Sequence, residues 1–130
     1  GQRWHLPPGI SVKDIPAEDE VGDLLQEAVT RAANEWGPHR LSQNERRAID
    51  DAKKTGEYWL ARLLEREARG RFVHARVEER FKGRFEFKRQ GVDVVDLKTG
   101  RQYEMLAGTD SNLARHGRRM AGEFFRMITF

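Results

Sequence analysis

Carboxylates interrupt an otherwise apolar hairpin in the stretch GVDVVDLKTGRQYEML, residues 91–106. Asp93 lies in the first predicted strand and Glu104 in the second, although Asp is among the poorest strand formers. Side chains alternate between the two faces of a strand, so a loop of two or four residues would place Asp93 and Glu104 on one face, whereas a three-residue loop would separate them. Asp96 falls on the opposite face, where we expect it to be solvated or bonded to the turn.

A pair of converging carboxylates favours a metal site. Two such groups repel each other and raise a pKa unless a cation lies between them. We therefore predict that Asp93 and Glu104 bind Mg²⁺ or Mn²⁺, with Zn²⁺ as an alternative. Such an ion can generate hydroxide and neutralise the charge that develops on a phosphate during hydrolysis.

Two histidines offer a second chemistry. His74 precedes Glu78 by four residues, so both lie on one face of a predicted helix. His74 is there either a packed core residue or a group that binds the metal or transfers protons. His116 is followed by Arg118 and Arg119. A His beside Arg can serve a metal-free ribonuclease, with His as acid or base and Arg stabilising the phosphorane. His116 as an ordinary surface residue is the other interpretation.

The second half of the chain is strongly basic. Residues 61–130 contain 16 Lys and Arg, 13 of them Arg, against 10 Asp and Glu, whereas the first half is net acidic. The guanidinium fork suits phosphate, so this asymmetry favours a nucleic-acid partner. We expect Arg115, Arg118, Arg119 and Arg126, on the last predicted helix, to bind nucleic acid. The alternatives are a solvated basic face and a module that binds nucleic acid or protein without catalysis.

Composition excludes several classes of protein. The chain has 130 residues, enough for one domain, and no cysteine, which rules out disulfides and thiolate zinc sites. It has no apolar run of about 20 residues, the length needed to span a bilayer. It also has no glycine-rich phosphate loop and no Cys-His-Asp arrangement. We expect a single domain without a membrane span.

Hydrophobic spacing predicts helices, then strands, then one more helix. Helical spacing and caps predict three helices, at about 16–36, 42–56 and 57–83, and a final one at about 112–128. Alternation predicts three strands, at about 84–89, 92–97 and 101–106.

These elements predict an α+β fold. N-terminal helices would be followed by a three-stranded antiparallel meander and a C-terminal helix. We expect one domain over residues 1–130, with a helical N-terminal part at 1–56 and a core at 57–130.

The order of elements at roughly residues 70–128 resembles the PD-(D/E)XK nuclease superfamily. A helix carries a glutamate, a strand follows, and then come G-V-D-x-x-D, a turn with Gly and a strand with Y-E. The resemblance implies a restriction-endonuclease-like core in which Asp93 and Glu104 bind the metal and Glu78 assists.

The sequence departs from this family at one position. The family has a lysine two residues after the strand glutamate, where this chain has Leu106. Either a basic group elsewhere replaces that lysine, with Lys88, Arg101 and His116 as candidates, or the site works differently.

The whole chain, small, free of Cys and rich in Arg, resembles the C-terminal toxin domains of bacterial contact-dependent inhibition and related polymorphic toxin systems. The resemblance implies a nuclease toxin, part of a longer secreted or cell-surface-delivered protein, that acts in the cytoplasm of a target bacterium. It implies cleavage of nucleic acid, with tRNA favoured slightly over DNA, and neutralisation by a cognate immunity protein.

Overall fold

The structure, a computed structural model, describes residues 2–130, in which four α-helices and five β-strands are found. In chain order they are β1 (Arg3–His5), α1 (Glu20–Glu35), α2 (Gln43–Lys54), α3 (Tyr58–Arg80), β2 (Phe85–Phe87), β3 (Val94–Asp96), β4 (Gln102–Leu106), α4 (Asp110–Arg119) and β5 (Phe125–Thr129). Within this described part of the chain, no helix has both the length and the apolar character that a membrane crossing requires.

Side-chain caps fix where the first two long helices begin. The carboxylate of Asp19 accepts a hydrogen bond of 3.1 Å from the backbone N–H of Gly22 at the start of α1. Ser42 and Glu45 form the reciprocal capping box at the start of α2, as the sequence predicts. Apolar residues at helical spacing then turn one face of α1 towards the core.

The strands form one mixed sheet in the order β1-β5-β4-β3-β2. Strands β2, β3 and β4 are the expected antiparallel meander, but β5 pairs parallel to β4 and antiparallel to β1. The expected three-stranded antiparallel sheet with a C-terminal helix and a restriction-endonuclease-like core is therefore wrong. One strand from each end of the chain extends the sheet and makes it mixed.

The error lies in the segment after Arg119, where a helix was expected to continue to residue 128. Helix α4 ends there, and the chain returns as β5 between β1 and β4. Strand β5 lies inside the sheet, between β1 and β4. Both of its faces are covered, since Phe125 on one face and Arg126 and Ile128 on the other are all buried. A strand buried on both faces loses the alternation of polar and apolar residues, which is why the sequence pattern concealed it.

Helices α1 and α3 cover one face of the sheet, and α4 lies against the other. The main core joins α1 and α3 to Tyr103 and Met105 of β4 and to Ile128 of β5. Glu104 points to the opposite face by alternation, and there it contacts α4. Helix α3 therefore lies on one side of the start of β3, and α4 lies on the other side.

Candidate active site

The hairpin of β3 and β4 brings the two predicted acids together. Its register pairs Val94 with Tyr103, which places Asp93 opposite Glu104 one residue further along. The backbone N–H of Asp93 donates to Oε1 of Glu104 over 2.9 Å. The loop at 97–100 has an even number of residues, and the two acids accordingly share one face of the hairpin.

Asp96 has a structural role in the turn. It is buried, and its carboxylate accepts hydrogen bonds from the backbone N–H of Lys98 (3.1 Å) and the hydroxyl of Thr99 (2.8 Å). It is therefore a turn-bonding residue and is not solvated.

His116 of α4 is held by Glu104. Its Nδ1 lies 2.8 Å from Oε2 of Glu104, whose side chain is almost fully buried. An ionised carboxylate can only accept, so Nδ1 carries the proton and Nε2 of the neutral ring has a free lone pair. Among residues 2–130, no protein group hydrogen-bonds to that Nε2. His116 thus has the orientation of a general base whose partner fixes its tautomer.

His74 of α3 approaches the same site from the other side of the sheet. Its Nε2 lies 3.1 Å from the carbonyl oxygen of Met105 and 3.9 Å from Oδ2 of Asp93. A carbonyl only accepts, so Nε2 of His74 is the protonated nitrogen. Oδ2 of Asp93 also accepts from the backbone N–H of Met105 over 3.2 Å. The two histidines therefore bracket the pair of acids.

Burial makes both acids hard to ionise. Desolvation and the nearby Glu104 carboxylate raise the pKa of Asp93 to about 7. Desolvation also raises the pKa of Glu104, while hydrogen bonds from Asp93 and the positive charge of Arg119 oppose the rise. The pair thus holds a proton near neutral pH, with Asp93 as the group that carries it.

The environment of His116 favours its neutral form. Desolvation, followed by the positive charges of Arg119 and Arg115, lowers the pKa of His116 below its usual range. The site consequently combines a neutral imidazole with a carboxyl group that is partly protonated near pH 7. Two groups whose pKa values are shifted in opposite directions are suited to opposite roles in proton transfer, one as the acid and one as the base.

Two clefts open onto Asp93. The larger, of about 620 Å³, is lined by His74, Asp93, His116 and the cations Arg66, Arg115 and Arg118, among others. The smaller, of about 350 Å³, is lined by His74, Glu78, Phe87, Lys88, Arg89, Asp93 and Met105. Each cleft combines groups that can titrate with basic side chains that can hold phosphate.

The structure separates the arginines that we expected to bind nucleic acid. Arg115 and Arg118 line the larger cleft, and Arg119 is close enough to affect the pKa of Glu104. Arg126 is different, because it is buried in β5 and cannot belong to a surface stripe. Its burial argues against the predicted role in nucleic-acid binding, since the stripe assumed a helix where the chain forms a strand.

Lys88 and Arg101, two of the candidates for replacing the missing lysine, lie in different parts of the structure. Lys88 is exposed beside Asp93 in the smaller cleft, and its backbone N–H donates to the carbonyl of Asp93 over 2.7 Å. Arg101 donates to Asp19 over 3.2 Å, so it belongs to a different cluster.

That second cluster surrounds Asp19 and was missed by the sequence pattern. Asp19 is fully buried and accepts from the hydroxyl of Tyr103 (2.8 Å) and from Arg126 (3.0 Å). Arg126 also donates to Asp23 over 2.9 Å. These bonds tie the start of α1 to β4 and β5. Burial alone would raise the pKa of Asp19, but the hydrogen bonds outweigh that effect, and the pKa is lowered. The cluster is structural, and the one sequence signal that could have pointed to it is the position of Asp19 as the cap of α1.

The acids at the site do not form a ready metal cage. Within residues 2–130, no group of three or more His, Asp or Glu side chains is placed to hold an ion. Three of the four carboxylate oxygens of Asp93 and Glu104 already accept hydrogen bonds from protein groups. Glu78 lines the smaller cleft with Asp93 and is exposed. Each of the three bonded oxygens keeps a second lone pair, so the bonds do not decide whether an ion binds, and the Mg²⁺ or Mn²⁺ site stays a prediction.

No protein-family model matches the chain, and no curated protein or solved structure matches it significantly. The site itself is therefore the basis for inferring the function.

Proposed function

We propose that this protein is a metal-independent endoribonuclease that cleaves RNA by attack of the ribose 2′-hydroxyl on the neighbouring phosphate. The observation that carries the proposal is the bond of 2.8 Å between His116 and Glu104, in a cleft lined by arginines. A base oriented by a carboxylate, beside groups that can bind phosphate, is the arrangement that such chemistry requires.

His116 is the general base. Its free Nε2 takes the proton of the 2′-hydroxyl as the oxygen attacks phosphorus, and Glu104 stabilises the imidazolium that forms. The lowered pKa of His116 keeps the ring neutral, and thus able to accept a proton, at neutral pH. The attack forms a 2′,3′-cyclic phosphate and breaks the bond from phosphorus to the 5′-oxygen.

Asp93 is the general acid. Its pKa of about 7 leaves a proton available near neutral pH, and that proton passes to the departing 5′-oxygen. His74 lies 3.9 Å from Oδ2 of Asp93 and stabilises the carboxylate left behind when the ring is protonated. Proton exchange with water then restores both groups.

Arg115 supplies positive charge for the phosphorane. It lines the cleft that contains His116, where a guanidinium can hold two oxygens of one phosphate. A DNA strand lacks the 2′-hydroxyl, so this chemistry selects RNA.

The test is cleavage of a short RNA oligonucleotide in the presence of excess EDTA. We expect cleavage to persist and to yield a 2′,3′-cyclic phosphate end, detected by mass spectrometry. The same oligonucleotide with one 2′-deoxyribose at the cleaved position is the matched control and should stay intact. Cleavage that EDTA abolishes and Mg²⁺ restores would replace this proposal with the metal-dependent one, in which Asp93 and Glu104 hold the ion.

The toxin role and the immunity protein rest on the sequence resemblance and on the basic charge of the second half. We propose that a partner with an acidic surface blocks the site, because like the substrate it would be attracted to the arginines. Expression of the chain alone in a bacterial host should arrest growth, and the His116→Gln variant should relieve that arrest. Equal, healthy growth of both strains with folded protein would contradict the toxin role.

A further inference from the structure

The two clefts of the site meet at Asp93. His74, Asp93 and Met105 line both of them, one on each side of the acid. A chain molecule whose reacting group lies beside Asp93 can therefore extend in two directions, into a cleft of about 350 Å³ and into one of about 620 Å³.

Both clefts hold cations that have no acidic partner. None of five cleft cations forms an ion pair within 4.0 Å in residues 2–130, and all five are exposed. They are Lys88 and Arg89 in the smaller cleft and Arg66, Arg115 and Arg118 in the larger. Each cleft contains one exposed glutamate, so both remain net basic apart from the paired acids at the centre.

We propose that a single RNA strand crosses both clefts, with one backbone phosphate bound on each side of the one that reacts. Lys88 and Arg89 bind the phosphate on one side, and Arg66 and Arg118 bind the phosphate on the other. The proposal rests on the proposed function and adds the form of the substrate: an unpaired strand of at least three phosphates.

The recessed position of the Glu104–His116 pair favours an unpaired strand as the substrate. The side chain of Glu104 is 3% exposed and that of His116 is 16% exposed. The backbone of an RNA duplex is held on a stiff A-form helix, whereas an unpaired strand can bend so that one phosphate and its 2′-hydroxyl enter the site. Positively charged grooves that follow the backbone are the usual means of binding such strands.

The experiment measures the binding of 2′-O-methyl RNA oligonucleotides, which cannot be cleaved through the 2′-oxygen. Fluorescence anisotropy gives their affinity as a function of salt and of length, from two to about six nucleotides. The two test variants are Lys88→Gln with Arg89→Gln, and Arg66→Gln with Arg118→Gln. The matched control is Arg47→Gln with Lys54→Gln, which removes two exposed cations of α2 that lie outside both clefts.

We expect each test variant to reduce the slope of log K against log salt for the longest strand by about 0.7 for each phosphate contact removed. The control should reduce it by less than half as much. Lengthening the strand at one end should strengthen binding to the wild type but not to the Lys88/Arg89 variant. Lengthening at the other end should fail in the Arg66/Arg118 variant.

Three outcomes decide between the two proposals. If the Lys88/Arg89 variant binds every length as the control does, the two-sided strand is wrong even if RNA is cleaved. Equal affinity for a 2′-O-methyl duplex and a single strand also overturns it. Two-sided binding without cleavage of unmodified RNA supports this inference and refutes the proposed ribonuclease.

Discussion

Replacing Asp93 with Asn should make the protein more stable at alkaline pH while abolishing its activity. The amide of Asn has nearly the shape of a protonated carboxyl group, so it can accept from the N–H of Met105 and donate to Glu104. It cannot ionise and cannot give a proton to a leaving group. The substitution therefore separates the effect of the buried charge from the effect of the side chain's shape.

The magnitude follows from the pKa of Asp93. In the folded protein it is about 7, against the ordinary value of 3.8 for an Asp side chain in the unfolded chain. The folded state thus binds a proton more tightly, so the stability that Asp93 contributes is fully present below about pH 4 and is lost as pH rises through about 7. Three pKa units correspond to about 4 kcal/mol, which is an upper bound because the side chain of Asp93 is 25% exposed.

The assay is urea unfolding of the wild type and the variant at about pH 5 and pH 8. The difference in the free energy of unfolding, variant minus wild type, should rise by up to about 2.7 kcal/mol between these values, because two pH units separate pH 5 from the folded pKa of about 7. Taking the difference cancels the titration of groups common to both proteins. Glu86→Gln is the matched control, since Glu86 is an exposed carboxylate on the neighbouring strand β2, and its difference should not change with pH.

A flat difference for Asp93→Asn would refute the reasoning. Asp93 would then be ionised in the folded protein as readily as in the unfolded chain, and it could not serve as a proton donor near neutral pH. The assignment of the general acid would have to move to His74.

Other predictions concern the base, the pH profile and the structural cluster. His116→Gln should lower the rate of single-turnover RNA cleavage by about 10² to 10⁴-fold and leave the affinity for uncleavable RNA unchanged; a rate within tenfold of wild type would contradict its role. The value of kcat/KM should fall in acid, where His116 gains a proton at a lowered pKa. It should also fall above about pH 7, where Asp93 loses its proton, and a rate that still rises at alkaline pH would exclude Asp93 as the acid. Arg126→Met should destabilise the protein to urea by about 2–3 kcal/mol, because the buried Asp19 would keep only the partly exposed Arg101 as its cation. RNA affinity should be kept, and weaker binding by a fully stable variant would return Arg126 to the nucleic-acid surface.

Sequence alone identified the elements that are specified locally. The capping box of Ser42 and Glu45 and the apolar spacing of α1 and α3 depend on residues three or four apart, so they could be read directly. The β3–β4 hairpin was also local, since its short loop sets the register of the strands. That register was enough to raise the pairing of Asp93 with Glu104 as one of two outcomes, decided by the loop length.

The tertiary structure decided what depends on residues far apart in the chain. Strand β5 exists because β1 and β4 offer hydrogen bonds on both of its edges, and neither partner is near it in sequence. The bonds of Arg126 to Asp19 and of His116 to Glu104 join elements whose packing brings them together. The same packing buries Asp93 and Glu104 and shifts their pKa values, because desolvation is a property of the folded surroundings and not of the residue type.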